Sequence, residues 1–283
     1  MSVKSHPAFQ PGRIGGLALR NRILRAGCFE GMCQGGRPTE ALIEHHRAVA
    51  AGGVALTTVA YCSVSEFGRA YGHEMWMREE ILPDLRRLTD GVHAEGASAS
   101  VQLGHCGYFS DPALAGGRTL GASRVFNLFR LSWPRAMDAD DLARVAADFA
   151  RSAQLAIRAG FDAVEIHAGH GYLLSQFLSP YTNRRDDAYG GSVEGRTRFP
   201  CEVVRAVRAA TPDGFPILVK MNLYDGFRSG LRVSDAPAIA AAFEAAGADA
   251  IVPSCGFTSK TPFQMLRGDV PRGPMIRNQP KLW

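Results

Sequence analysis

Two histidines and a tyrosine lie within six residues of one another, directly after an apolar run. His167 closes the segment "DAVEIH", and His170 and Tyr172 follow in "AGHGY". Two imidazole N–H groups can hold an oxygen atom on which negative charge develops, and a neighbouring phenol can deliver a proton. The spacing therefore indicates a site that polarises a carbonyl group. The alternative is a structural hydrogen bond or a metal ligand, but no third ligand with zinc spacing stands nearby in the sequence.

The elements that must position these residues are short apolar segments separated by longer segments of helical periodicity. Strands buried on both faces and joined by crossover helices give this alternation, so the sequence predicts a parallel sheet. The predicted strands span residues 22–28, 54–61, 99–104, 162–167, 216–221 and 249–254. The predicted helices span residues 39–53, 81–96, 138–160, 192–210 and 234–247.

The fold class that this alternation favours is an α/β barrel of the TIM (β/α)8 type. A dinucleotide-binding sheet would need a glycine-rich turn after the first strand, and none is present there. Closure of the barrel takes eight βα units, and the segments supply six. The residues after Gly268 are too few for two more units, which need roughly 60 residues. We therefore expect residues 1–283 to form a single barrel domain that is C-terminally incomplete, with about six of the eight units.

Composition and charge argue against several classes of partner. The net charge of +5 is spread among acidic residues and not massed in blocks, which argues against a nucleic acid partner. The six cysteines show no paired C-x-x-C spacing, and no secretory leader or long uncharged run is present. We expect a cytoplasmic protein with reduced thiols, without a membrane partner and without a metal site. A homo-oligomer is compatible with these properties.

A long motif gives the sequence a family resemblance. The stretch "EIHAGHGYLLSQFLSPYTNRRDDAYGGSVEGRTRF" resembles the signature of the Old Yellow Enzyme family of FMN-dependent oxidoreductases. It is most similar to the branch with bacterial 2,4-dienoyl-CoA reductases and related NADH:flavin oxidoreductases. The segments "FQPGRIGGLALRNRI", "VQLGHCG", "PRAMDADDL" and "VKMN" extend the resemblance over nearly the whole chain. The resemblance implies FMN as cofactor and NAD(P)H as electron donor, with hydride passed through the flavin to an enone, enal or unsaturated thioester.

The resemblance also implies roles for individual residues. His167 and His170 would hold the carbonyl oxygen of the substrate, and Tyr172 would protonate the carbon next to the carbonyl. The positions that match flavin-ring contacts of the family are Ala26, Gly27, Cys28, Ala60, Gln102 and Lys220. A cation such as Lys220 near the flavin N1 raises the reduction potential of the flavin. For Cys28 the interpretation that we favour is a small apolar packing residue, and the alternative is a thiol near the flavin that tunes its potential.

Several features depart from the family pattern. The family binds the FMN phosphate in turns after strands seven and eight, which we do not find. Tyr108 in "GHCGY" stands where many relatives have an arginine, and the 4Fe-4S cysteines of the dienoyl-CoA reductase branch are absent from this sequence. The alternatives are therefore a catalytically silent truncated homologue or binding subunit, or a barrel that performs flavin-free carbonyl chemistry.

Two loops complete the sequence-based expectations. The loop from Cys106 to Arg135 mixes glycine with aromatic residues and suits an active-site cover. The charged stretch "SPYTNRRDDAYGG" is either a salt-bridged scaffold, which we favour, or a contact for phosphate groups.

Overall fold

The computed structural model describes residues 6–265, in which strands and helices alternate along the chain. The strands are β1 (Gly12–Ile14), β2 (Leu17–Leu19), β3 (Leu24–Arg25), β4 (Cys33–Gln34), β5 (Arg37–Pro38), β6 (Leu56–Ser63), β7 (Ser98–Gly104), β8 (Leu120–Gly121), β9 (Arg135–Ala136), β10 (Ala163–Ala168), β11 (Ile217–Tyr224) and β12 (Ala250–Cys255). The helices are α1 (Glu40–Ala51), α2 (Leu82–Ala94), α3 (Ala139–Arg158), α4 (Leu173–Leu178), α5 (Val193–Ala209) and α6 (Ala236–Ala245). Six strands form one parallel sheet in the order β12-β11-β10-β7-β6-β3.

This curled sheet with its helices confirms the barrel-type fold class. Each of the six predicted strands and five predicted helices has a counterpart in the structure. The first strand is shorter than predicted, because the Arg22 N–H donates to the Ala8 carbonyl and the Ile23 N–H donates to the Asn21 side chain. The short helix α4 was not predicted, since a wholly buried six-residue segment shows no helical periodicity. The prediction about residues after Gly268 lies outside the described residues.

The two faces of the sheet have different environments. Val164, Ile166 and Ala168 of β10 point toward the helices and belong to the main core, together with large side chains such as Phe149 of α3. We call the opposite side the inner face.

An apolar layer closes the inner face near the amino ends of the strands. It is formed by Leu56, Ala163 and Leu218, the last two from neighbouring strands. Leu19 of the β1–β2 hairpin packs against these side chains, so the N-terminal hairpin covers this end of the sheet. The alternation of side chains along a strand thus separates two apolar regions.

Two further properties concern the chain as a whole. Among residues 6–265, no helix has both the length and the apolar character that a bilayer span needs. All six cysteines lie in this range, and none of them forms a disulfide.

Helix α3 begins with a reciprocal cap that should stabilise the fold. The Asp138 carboxylate accepts from the Asp141 N–H at 2.9 Å, and the Asp141 carboxylate accepts from the Asp138 N–H at 3.1 Å. We expect Asp138→Ala to lower the free energy of unfolding by about 1 kcal/mol in chemical denaturation, because the Asp141 N–H in the first turn loses its acceptor. The control is Asp140→Ala, an exposed carboxylate in the same turn. Equal losses in both variants would contradict the capping role.

Candidate active site

The register of three neighbouring strands places four polar side chains together. Glu165 of β10 lies opposite Gln102 of β7, and His167 of β10 lies opposite Lys220 of β11. Residues i and i+2 of a strand share a face, so Glu165 and His167 both lie on the inner face. All four side chains are buried. They form a polar layer beyond the apolar one, toward the carboxyl ends of the strands.

Hydrogen bonds connect this polar layer to the loop after β3. The Gln102 Nε2 group donates to Glu165 Oε1 at 2.6 Å, and the Lys220 Nζ group donates to the Gly27 carbonyl at 2.6 Å. A Cβ atom on Gly27 would lie only 2.8 Å from Gln102 Nε2 and 3.3 Å from the Ala60 Cβ atom. Glycine is therefore needed for the backbone to approach this closely. The structure thus brings Gly27, Ala60, Gln102 and Lys220 together, and their contact with a flavin ring stays a prediction.

The two neighbours of Gly27 lie differently. Ala26 and Cys28 are exposed, so their side chains point away from the buried layer while the backbone between them contacts it. The interpretation of Cys28 as a core-packing residue is wrong, because the loop turns its thiol toward solvent. Its proximity to a flavin stays a prediction.

Burial alters the charge balance of the polar layer. The pKa of the Glu165 carboxyl is raised by desolvation, and the Lys220 ammonium and the Gln102 hydrogen bond oppose this shift. The carboxyl was not singled out from the sequence. Its position two residues before His167 in a strand was the available signal, because that spacing places both side chains on one face.

The two histidines and the tyrosine form a cluster of rings. The ring centroids of His167 and His170 are 5.0 Å apart with an interplanar angle of 85°, and the Tyr172 ring lies 5.1 Å from that of His167. His167 is buried, whereas His170 and Tyr172 are half-buried. The structure therefore brings together all three residues that the spacing singled out.

Burial determines the protonation state of His167. Desolvation lowers the pKa of this imidazole well below its ordinary value, and His170 and Lys220 lower it further. The Nδ1 atom accepts from the Gly169 N–H at 3.3 Å, so it carries no proton. A neutral ring with an unprotonated Nδ1 has its proton on Nε2. His167 is consequently a neutral hydrogen-bond donor through Nε2.

The turn that carries His170 is fixed by two other strands. His170 has a φ of 62°, a conformation that is uncommon for a residue other than glycine. Its N–H donates to Asn222 Oδ1 at 3.1 Å, and its carbonyl accepts from the Thr258 hydroxyl at 2.7 Å. Its Nε2 atom is hydrogen bonded to the Ser254 hydroxyl at 2.7 Å. No sequence pattern pointed to Ser254, because β12 lies far along the chain from His170.

Further aromatic residues surround the cluster. The Tyr61 ring lies 6.0 Å from that of His167 and 5.6 Å from that of Tyr172, and the Cys106 thiol contacts the Tyr61 hydroxyl at 3.4 Å. Phe109, in the long loop after β7, lies 6.0 Å from Tyr172. The loop thus borders the ring cluster, as expected for a cover. Tyr61 directly follows Ala60, but its aromatic contact was not predicted.

The charged stretch after α4 acts as a scaffold. Arg185 forms an ion pair with Asp187 at 2.6 Å and donates to the carbonyls of Ala122 and Met137. These contacts join the stretch to Ala122 within the long loop and to Met137 just after it. They support the favoured interpretation over a phosphate contact.

The fold and this site define a protein class: a β/α-barrel protein with a polar site at the carboxyl ends of its strands. Residues 7–255 match the sequence profile of the NADH:flavin oxidoreductase / NADH oxidase family. The chain therefore belongs to this family of FMN-dependent oxidoreductases.

Two curated relatives illustrate the similarity. A 4,4'-dithiodibutanoate disulfide reductase of Rhodococcus erythropolis is 42% identical over 275 residues, which cover 97% of this chain and 68% of the relative. A metal reductase of Desulforamulus reducens is 38% identical over 94% of this chain and 40% of its own length. The chain thus spans less than half of the second relative.

Solved structures show the same fold. A 2-naphthoyl-CoA reductase in complex with 2-naphthoyl-CoA superposes with a TM-score of 0.84 at 27% identity, over 89% of this chain and 41% of that one. An old yellow enzyme homologue from Zymomonas mobilis gives a TM-score of 0.80 at 22% identity, over 90% and 78% of the two chains. The resemblance to Old Yellow Enzyme is confirmed.

The protonation state of the buried histidines can be tested directly. Burial, with a smaller effect of Arg144, lowers the pKa of His105 to about 4, and its Nδ1 atom accepts from the Gly107 N–H at 2.9 Å. We expect imidazole ¹⁵N NMR signals of His105 and His167 to show the neutral Nε2–H form at pH 5.5, where an ordinary histidine is mostly protonated. His105 should take up a proton only as the pH falls toward 4. His105→Asn and His167→Asn provide the assignments, and a protonated ring at pH 5.5 would refute the donor assignment.

Proposed function

We propose that this chain, with FMN bound, reduces the C=C bond of an activated alkene such as an enone, enal or unsaturated thioester, with NAD(P)H as electron donor. The observation that carries the proposal is the neutral Nε2–H donor of His167, which lies beside His170 and Tyr172 and opposite Lys220. A site with this composition suits an oxygen that gains negative charge next to a carbon that gains a proton.

The residues present fit the isoalloxazine ring of FMN. The polar edge of that ring alternates N–H and C=O groups, which an amide such as Gln102 can pair with. Lys220 is buried, and its ammonium contacts the Gly27 carbonyl, so a cation is held in the same layer. The backbone of Ala26, Gly27 and Cys28 and that of Ala60 would provide the remaining ring contacts. FMN, when bound here, would supply a two-electron carrier between NAD(P)H and the substrate.

The residues of the chain would act on the substrate carbonyl and on one proton. His167 donates its Nε2–H to the carbonyl oxygen, and His170 lies within the same ring cluster on a turn that Asn222 and Ser254 hold in place. Tyr172 delivers its phenolic proton to the carbon next to the carbonyl. Because His167 is already neutral and buried, its N–H bond need not be stripped of water when the substrate arrives.

A second candidate acceptor is a disulfide, since a relative with 42% identity is named a disulfide reductase. Cys106 lies close to Tyr61, but burial raises its thiol pKa well above the ordinary value. A thiolate exchange at Cys106 is therefore disfavoured, which leaves the flavin or the exposed thiol of Cys28 as the point of disulfide reduction. A third possibility, a catalytically silent homologue, predicts that the protein stays colourless after incubation with excess FMN.

Tyr172→Phe tests the proton donor. We expect turnover of an enone to fall about 10²- to 10⁴-fold, the range for loss of a general acid, while flavin reduction by NAD(P)H is retained. Stopped-flow absorbance separates these two half-reactions. Tyr189→Phe, which removes a hydroxyl near Glu202 outside the site, is the matched control and should keep full turnover. Undiminished enone turnover in Tyr172→Phe would reject the role.

His167→Ala tests the oxygen-binding pair. Loss of one donor of this kind reduces the rate about 10²- to 10³-fold, and we expect that reduction in kcat for an enone. His167→Asn keeps an N–H donor and should recover part of the rate. Equally slow alanine and asparagine variants with an unchanged flavin spectrum would reject hydrogen-bond donation by His167 as the source of the rate enhancement.

A further inference from the structure

A cationic cavity lies beside the loop between β11 and α6. Its volume is about 440 Å³. Its lining includes three arginines, one aspartate, a proline and a glycine, which are Arg196, Arg228, Arg232, Asp235, Pro180 and Gly230. We call it the arginine cavity. Its lining carries three cationic side chains and a single carboxylate, so its electrostatic potential favours anions.

Arg196 forms the buried wall of the arginine cavity. Its side chain is 7% exposed, and its Nη2 group pairs with Asp235 at 3.1 Å. Its Nη1 group donates to the Leu178 carbonyl. The Nε–H group is buried and, within residues 6–265, has no hydrogen-bond partner. A buried N–H group without a partner is costly, and the residue that carries it lines the cavity.

The other two arginines lie at the rim. Arg228 and Arg232 are exposed, and in the part of the chain that the structure describes their guanidinium groups form no ion pair. Guanidinium groups bind carboxylate and phosphate oxygens through two parallel hydrogen bonds. Two such groups without a carboxylate partner, next to a buried third one, are the donor set that an oxyanion requires.

The loop that carries these arginines is held in place, and it is connected to the candidate active site. Asp225 accepts from the Leu231 N–H at 2.7 Å and from the Ser179 hydroxyl at 2.6 Å. Its other oxygen accepts from the Asn222 amide at 2.8 Å. Asn222 in turn accepts from the His170 N–H. The buried Asp225 carboxyl group therefore bonds to the loop that lines the arginine cavity and, through Asn222, to the turn of His170.

We propose that the arginine cavity binds an oxyanion, the phosphoryl or carboxylate group of a small molecule. Two sources have this chemistry: the phosphates of the nicotinamide donor, and an anionic group on the substrate. The assignment of either source rests on the proposed function, whereas binding of the oxyanion itself does not.

Titration calorimetry at low ionic strength tests the binding. The probes are inorganic phosphate, pyrophosphate and glutarate, added to the purified protein. We expect at least one probe to bind, and binding to weaken roughly tenfold or more in the Arg228→Ala/Arg232→Ala variant. The control is Arg198→Ala/Arg205→Ala, two exposed arginines of α5 that do not line the cavity. It should bind like the wild type.

The outcomes are distinguishable. No binding of any probe to the wild type, or an equal loss in the two double variants, would overturn the proposal, whether or not the protein reduces an enone. Tighter binding of phosphate and pyrophosphate supports the nicotinamide donor as source, and a raised KM for NAD(P)H at unchanged kcat should accompany it. Tighter binding of glutarate supports an anionic substrate, and the KM for a carboxylate-bearing substrate should then rise.

Discussion

The parallel register of β7, β10 and β11 is the constraint on which the site depends. It sets Glu165 opposite Gln102 and His167 opposite Lys220, on the face away from the helices. A slip of one residue in β10 would turn Ile166 inward and both polar side chains toward the apolar core. The main core on the other face, with Val164 and Ile166, therefore fixes the position of the chemical groups as firmly as it fixes the fold.

Burial of this polar layer costs free energy, and the layer offsets the cost with internal hydrogen bonds. Gln102 bonds to Glu165, and Lys220 bonds to the Gly27 carbonyl. The same burial lowers the pKa of His167 and keeps its ring neutral. Desolvation thus produces the donor form that a site for a developing negative charge requires. In a more exposed site the pKa of the His167 imidazole would lie nearer its ordinary value, and the ring would be partly protonated near neutral pH.

The second half of the ring cluster is fixed by different interactions. His170 lies in a left-handed turn, and such a turn persists only where its surroundings hold it. Asn222 from β11 and Ser254 from β12 provide those contacts, and Asp225 orients Asn222. The geometry of the two histidines is therefore set by three adjacent strands. The network also reaches the loop that lines the arginine cavity.

The sequence by itself determined the alternation of strands and helices, the strand that ends at His167, and the grouping of His167, His170 and Tyr172. These features depend on local periodicity and on short spacing, which a sequence displays directly. Only the tertiary structure decided that Glu165 bonds to Gln102, that Ser254 reaches His170 from 84 residues further along the chain, and that Cys28 faces solvent. It also decided that Arg196, Arg228 and Arg232 border one cavity. Such contacts depend on strand register and loop path, and those follow from the packing of the whole sheet and not from any local pattern.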